Sequence, residues 1–234
     1  MRILAIDTTT EACSAALLVG DAVFARSEEP GRGHSNRILG MVDEILAEAG
    51  IALGRLDGIA AGIGPGAFTG VRICVAVAQG LAFGAALPVV PISGLEALAF
   101  ERMQRGAERV LACLDARMAE VYWACYRADL QRGLVVSSAA AVGAPASVQL
   151  PADALVPGAG YYGIGRGLAA HPQLLDLPGL RCDAADRRAL PDARAMVHLG
   201  AVRFRGGEGI DPGALAPLYL RDNVALTEAQ RGST

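Results

Sequence analysis

Apolar positions recur along this chain with two periods, and the switches between them set out its elements. Residues 3–6, 12–19 and 22–26 carry short apolar or alternating runs that predict three successive strands. The first two are joined by DTTTE at 7–11, the next two by a tight turn at Gly20 and Asp21. From 35 to 49 the period lengthens to that of a helix, with Ser35 as N-cap and Gly50 as the stop. Its apolar positions Ile38, Leu39, Met41, Val42, Ile45, Leu46 and Ala49 spread over an arc of roughly 160°, more than one sheet requires. A buried strand at 56–61, a helix at 71–84, a strand at 88–92 and a helix at 95–105 complete the first half.

Around Gly106 the pattern restarts. Residues 109–114, 120–126 and 133–138 again read as three strands, and Asp115 follows the first of them as Asp7 does in the first half. Beyond them the sequence predicts a loop at 143–151, a strand at 155–160, a short helix at 163–170 and a polar loop at 181–191. A helix at 193–205 turns Met196, Val197, Leu199, Gly200 and Phe204 inward, and the end after Leu220 reads as mobile. The order β-β-β-α-β-α-β-α followed by a restart predicts two tandem α/β subdomains, 1–105 and 106–234, each a mixed sheet covered by helices. The late helix of the second is free to pack back on the first.

Between the strand at 56–61 and the helix at 71–84 lies a loop containing Gly62, Gly64, Pro65, Gly66 and Gly70, with Thr69 placed to cap the helix. The loop is either a phosphate cradle or a tight turn that lets a helix pack closely. It lacks the Gly-Lys-Ser/Thr end of a P-loop, and the chain has no lysine. The following helix carries only Arg72 and Gln79 as polar residues, while Ala76, Gly80 and Gly84 recur every fourth position as a flat strip. Such a helix must be covered on more than one side, by its own domain or by a partner. The expected partner interface comprises Ile38, Met41, Val42 and Ile45 of the first helix with Arg72, Ala76, Gln79, Gly80, Phe83 and Gly84 of the second.

Composition narrows the classes. The 234 residues are 53% hydrophobic and 19% charged, which predicts a folded chain rather than a disordered one. No uncharged apolar window reaches membrane-spanning length, and the chain opens on a strand rather than a signal peptide. Five dispersed cysteines in apolar runs fit buried thiols in a reducing, cytoplasmic setting. A net charge of −3 with scattered arginines disfavours tight nucleic-acid binding by this chain alone.

The chemical inventory is thin. His34, His171 and His198 are far apart in sequence, no cysteine pair has metal spacing, and no G-x-S-x-G occurs. Asp115, Arg117 and Glu120 read as an ion-pair group at a strand turn, and Tyr122, Trp123 and Tyr126 as packing residues. Asp7, Thr8 and Thr9 form a turn just past a first strand. That turn either binds phosphate while the acid holds a hydrated metal, or ties itself through side-chain hydrogen bonds.

The strings ILAIDTTTEACSAAL, GIGPGAFTGVRI, VPISGLEAL, DARMAEVYWA and PLYLRD, with the His34–Ser35 helix start, resemble the bacterial TsaB (YeaZ) family over nearly the whole chain. The Asp7 turn is shared with the wider sugar-kinase, actin and Hsp70-like superfamily. The resemblance implies two ribonuclease-H-like (actin-like ATPase) subdomains and a vestigial phosphate turn at Asp7, Thr8 and Thr9. Its catalytic relative TsaD transfers threonylcarbamoyl to N6 of the adenosine beside the anticodon, in tRNAs reading codons that start with A. TsaD carries an HxxxH pair where this chain has Gly94 and Leu98. The resemblance therefore implies a non-catalytic subunit that dimerises with and activates a TsaD-like protein. A TsaE-like ATPase would be a further partner, and the chain alone would form a homodimer. It further implies no tightly bound cofactor, ATP handled by the complex, and tRNA contact only through the complex. A sugar- or acetate-kinase-like phosphotransferase and a glycopeptidase-like protease are the alternatives. The first needs a second phosphate loop, the second a metal pair.

Overall fold

Arg2–Asp7 (β1), Cys13–Val19 (β2) and Ala22–Glu28 (β3) form an antiparallel meander, and Gly58–Gly62 (β4) and Val89–Ile92 (β5) extend it in parallel on the far side of β1. The sheet order is β3-β2-β1-β4-β5. His34–Ala49 (α1) joins β3 to β4, Phe68–Ala85 (α2) joins β4 to β5, and Gly94–Gln104 (α3) leaves the sheet. The second half repeats the plan with Arg109–Arg117 (β6), Glu120–Asp129 (β7), Gly133–Gly143 (β8), Tyr161–Ile164 (β9) and Leu180–Arg181 (β10). Its order is β10-β9-β6-β7-β8, again three antiparallel strands and two parallel ones. Gly167–Ala170 (α4) is a single turn, and Ala193–Arg205 (α5) is the last helix. This computed structural model describes residues 1–221 apart from Arg32 and Pro157, so the polar end read as mobile lies outside the described residues. Both halves are five-stranded mixed sheets covered by helices, the ribonuclease-H-like plan.

Three layers of core hold the sheets. In the central one α3 and α5 lie between the facing sides of both sheets, so that Ile3, Ala60 and Val90 share a cluster with Val110, Leu114 and Tyr126 through Leu95, Leu98, Met196 and Leu199. α5 thus belongs to the second half in sequence and packs on the first sheet in space. The Ala193 amide donates to Ser14 Oγ at 3.0 Å, and a Cβ at Gly200 would stand 2.7 Å from that of Ala60. On the outer side of the first sheet, Leu4, Ile6, Ala15 and Leu17 bury the inner faces of α1 and α2. The second sheet buries Leu111, Cys113, Trp123 and Cys125 against Tyr161, Leu168 and Leu174.

Several boundaries depart from the sequence reading. α1 starts at His34 behind a left-handed Gly33, not behind a Ser35 cap. α2 starts at Phe68 with Ala67 as N-cap, and Thr69 lies inside the first turn. Among the described residues of 155–160 there is no strand where one was expected; Ala152–Leu155 is a short 3-10 turn, and β9 forms six residues later, where Tyr162, Gly163 and Ile164 pair with Val110, Leu111 and Ala112. By length and composition α2 is apolar enough to cross a membrane, contrary to the expectation that no window would be. Here Val71, Cys74, Val75, Ala78 and Ala82 are buried, most of them against β-strand residues such as Leu4, Ile6 and Ile59.

Candidate functional site

β1 delivers Asp7 to the sheet's C-terminal edge, where Asp7, Thr8 and Thr9 are all fully buried. The Thr9 amide donates to Asp7 Oδ1 at 3.1 Å, whereas Oδ2 and Thr9 Oγ1 have no hydrogen-bond partner among the described residues. Burial pushes the Asp7 carboxyl up to about 7, against the downward pull of Thr9.

What covers this turn is the glycine loop. Thr8 Oγ1 donates to the Gly70 carbonyl at 2.8 Å, and the Ala67 amide donates to the Thr9 carbonyl at 2.7 Å. A Cβ at Gly62, Gly66 or Gly70 would stand 2.1 Å from Asp7 Oδ1, 1.9 Å from the Thr9 carbonyl oxygen and 2.2 Å from that of Thr8. The loop is glycine-rich because its backbone lies directly on the turn. Of the two sequence readings the geometry matches the tight turn. Asp7, Thr8 and Thr9 are fully buried under this loop, so the turn presents no exposed group to a nucleotide phosphate.

The outer face of α2 is the opposite case. Arg72, Ala76, Gly80, Phe83 and Gly84 are exposed, and nothing lies within 4 Å of a Cβ placed on Gly80 or Gly84. Phe68 is 51% and Phe83 61% exposed at its two ends. Gln79 does not join that face. Its Nε2 donates to the carbonyls of Pro212 and Leu215 at 3.0 and 3.1 Å and ties the C-terminal segment to the helix.

The α1 half of the expected interface is corrected. Ile38, Met41, Val42 and Ile45 are all buried in this chain's own core. The wide arc exists because α1 packs on β2 and β3 and also against α2, two neighbours rather than one. Its exposed large apolar residue is Leu39.

The sequence reading missed an aromatic cluster beside Arg72. The Arg72 guanidinium lies 3.7 Å over the Phe68 ring, its Nε donates to Tyr219 Oη at 3.0 Å, and the Phe68 and Tyr219 rings are 5.9 Å apart. Tyr219 arrives on a segment held by Leu218, whose amide donates to the Ile63 carbonyl at 2.8 Å. Arg221 then reaches the second half, donating to the Ala116 carbonyl at 3.1 Å and pairing with Glu120. Glu120 is therefore absent from the expected ion-pair group; Arg117 pairs with Asp115 at 3.1 Å and with Glu11 across the two halves.

Between the halves lies a cavity of about 260 Å³ lined by Thr10, Glu11, His34, Asp115, Arg117 and Arg166. Its arginines are neutralised: Arg117 as above, and Arg166 by Glu29 at 2.8 Å. Among the described residues no three His, Cys, Asp or Glu side chains are grouped to hold a metal ion. Gly94 opens α3, and Leu98 is fully buried. His171 sits with Nε2 3.1 Å from the Glu120 carbonyl oxygen, and burial lowers the pKa of His198.

Comparison with known proteins places this geometry in context. A family model described as "TsaD: tRNA N6-adenosine threonylcarbamoyltransferase" matches residues 27–152. The tRNA threonylcarbamoyladenosine biosynthesis protein TsaB of Escherichia coli (strain K12) is 42% identical over 226 residues, 96% of each chain. Its namesake in Haemophilus influenzae is 40% identical, over 96% of this chain and 95% of that one. The solved structure of YeaZ from Pseudomonas aeruginosa superposes with a TM-score of 0.82 at 42% identity, covering 94% of this chain and 99% of that one.

Proposed function

The chain belongs to the TsaB family, and from that premise we propose that it serves tRNA threonylcarbamoyladenosine biosynthesis as a non-catalytic subunit. In this reading it docks a TsaD-like catalytic subunit through the outer face of α2 and activates it. The observation that carries the proposal is that face: Ala76, Gly80 and Gly84 leave it flat and open, with Phe68 and Phe83 exposed at its ends. Apolar side chains on a flat strip favour close approach of a second helix. The TsaD-type model matches this chain across α1 and α2, so a TsaD-like protein brings a related helix pair, and pairing of like faces about an approximate two-fold follows. With no TsaD-like protein present, the same face pairs with a second copy of this chain.

The rest of the molecule supports a role without chemistry of its own. The acidic turn is closed by its own loop, and the cavity between the halves has its charges internally paired. The chain then needs no tightly bound cofactor; ATP is handled by the complex, with a TsaE-like ATPase as a further partner. tRNA is contacted through the complex rather than by this chain alone. Five free thiols, four of them buried, suit a cytoplasmic setting.

Co-purification with the TsaD-like protein of the same cell tests the reading. Gly80→Leu should leave the fold intact, since the position is open, and should abolish the complex. Unchanged affinity in that variant would overturn the α2 assignment.

A further inference from the structure

Arg72 differs from the other arginines held in place by side chains of this molecule. Arg117, Arg166, Arg203 and Arg221 each meet a carboxylate. Arg72 is fixed just as firmly, stacked on Phe68 and braced through Nε by Tyr219, yet among the described residues that bond to Tyr219 is its one hydrogen bond. Among the described residues its two terminal nitrogens have no acceptor, and the helix carries no other charge. The surroundings are apolar: exposed Phe68 and Tyr219 on one side, Ala76 and the open strip on the other.

A long side chain held in one orientation has already lost the freedom that binding would otherwise take away. A planar guanidinium so held presents a fork that matches a carboxylate in two hydrogen bonds. Arginine and tyrosine in a partly desolvated apolar setting are the residue types that dominate interface energetics. We infer that Arg72, set by Phe68 and Tyr219, is the anchor of the α2 face and receives an aspartate or glutamate carboxylate of the protein docked there. This rests on the reading of α2 as the docking face and adds to it the charge of the partner at one point.

A phosphate of RNA is the competing acceptor, and the surroundings weigh against it. Backbone binding needs several cations along a path, and α2 supplies one beside two aromatic rings and a strip of small residues. One fork in an apolar frame suits one carboxylate on a helix. The C-terminal segment is then part of the interface, because Tyr219 is what fixes the guanidinium.

The test measures the dissociation constant of the full chain with the TsaD-like protein, alongside thermal unfolding of each variant. Arg72→Glu should weaken the complex ~30-fold or more, the range of an interface hot spot. Arg72→Lys should weaken it ~5–10-fold, because an ammonium neither stacks flat nor forms a fork. Tyr219→Ala should weaken it by a similar factor without touching α2, and Tyr219→Phe should do the same to a lesser degree. Changing the opposed acidic residue of the partner to arginine should restore binding to Arg72→Glu. If Gly80→Leu abolishes the complex while Arg72→Glu and Tyr219→Ala leave it unchanged, the docking face stands and the anchor is wrong. If all three leave it unchanged, the docking face itself is wrong. If Arg72→Glu spares the protein complex but removes salt-sensitive binding of tRNA to the chain alone, the acceptor is phosphate and the carboxylate assignment falls.

Discussion

A methyl group on Gly66 would stand 1.9 Å from the carbonyl oxygen of Thr9, well inside any permitted contact. The neighbour is backbone, held in turn by the Ala67 amide, so it has no rotamer by which to withdraw. Gly66→Ala should therefore destabilise the chain by about 1–3 kcal/mol, the usual range for forced overpacking. Gly80→Ala is the control. With open space around it in the middle of α2, it should gain about 0.5–1 kcal/mol from helix propensity. Urea denaturation of the two variants measures both, and a tolerated Gly66→Ala would mean that the loop does not seal the turn.

The sealed turn has a pH signature. Asp7 is fully buried with its carboxyl raised to about 7, from an ordinary value of 3.8. The folded state thus holds a proton that the unfolded chain releases. Its contribution is complete below about pH 4, shrinks as pH rises through the interval, and is gone once the pH has passed through about 7. On the scale of 1.36 kcal/mol per unit, the whole span is about 4 kcal/mol. Asp7→Asn keeps an acceptor for the Thr9 amide and carries no charge. It should lose less stability than the natural chain between pH 5 and 8, and should be the more stable of the two at pH 8. Parallel denaturation curves for the two proteins across that range would count against a neutral buried Asp7.

Met41 separates core from interface on α1. Because the side chain is fully buried against Cys13, with Met41 Sδ 3.9 Å from Cys13 Sγ, Met41→Ala should cost about 2–5 kcal/mol. Leu39→Glu, on the exposed side, should stay within about 0.5 kcal/mol. Thermal unfolding of the isolated chain distinguishes them. Equal, small effects would put Met41 back on the surface.

Met41 also shows where the sequence was legible and where it was not. Alternation, continuous apolar runs and helical period placed the first eight strands, the three early helices and the restart near Gly106, because burial on one face or on both leaves a pattern in the local sequence. The pattern reports burial without its source, so the wide arc of α1 read as a docking surface when α2 supplies the second neighbour. The start of α2 departs from the sequence expectation for a related reason. Thr69 is a good cap by type, but the amide of Ala67 is already taken by the Thr9 carbonyl, and the helix begins at Phe68. The glycines of the loop were visible at once, and their purpose was not, because the turn they cover is more than fifty residues earlier in the chain. Arg72 and Tyr219 are 147 residues apart, and no local signal joins them.

The bond that brings Tyr219 to Arg72 is made elsewhere on α2. Gln79 Nε2 donates to two carbonyls of the C-terminal segment, Pro212 and Leu215, in a partly buried setting. Gln79→Ala takes this donor from the Leu215 carbonyl and leaves the Pro212 carbonyl with the Leu215 amide alone, which costs about 1–3 kcal/mol where water cannot replace the lost bond. The cost should fall locally, because beyond the Ile210–Val89 bridge that precedes the segment and the burial of Pro212 and Leu215 its other ties to the rest of the fold among the described residues are few: Leu218 to Ile63, Tyr219 to Arg72, and Arg221 to Ala116, Met118 and Glu120. Amide hydrogen exchange over residues 211–221 should accelerate while the strands of both sheets stay protected. The anchor then loosens with its brace, so affinity for the TsaD-like protein should fall by about the factor seen for Tyr219→Ala, although Gln79 faces the segment and not the partner. Faster exchange with unchanged affinity would detach the C-terminal segment from the docking face.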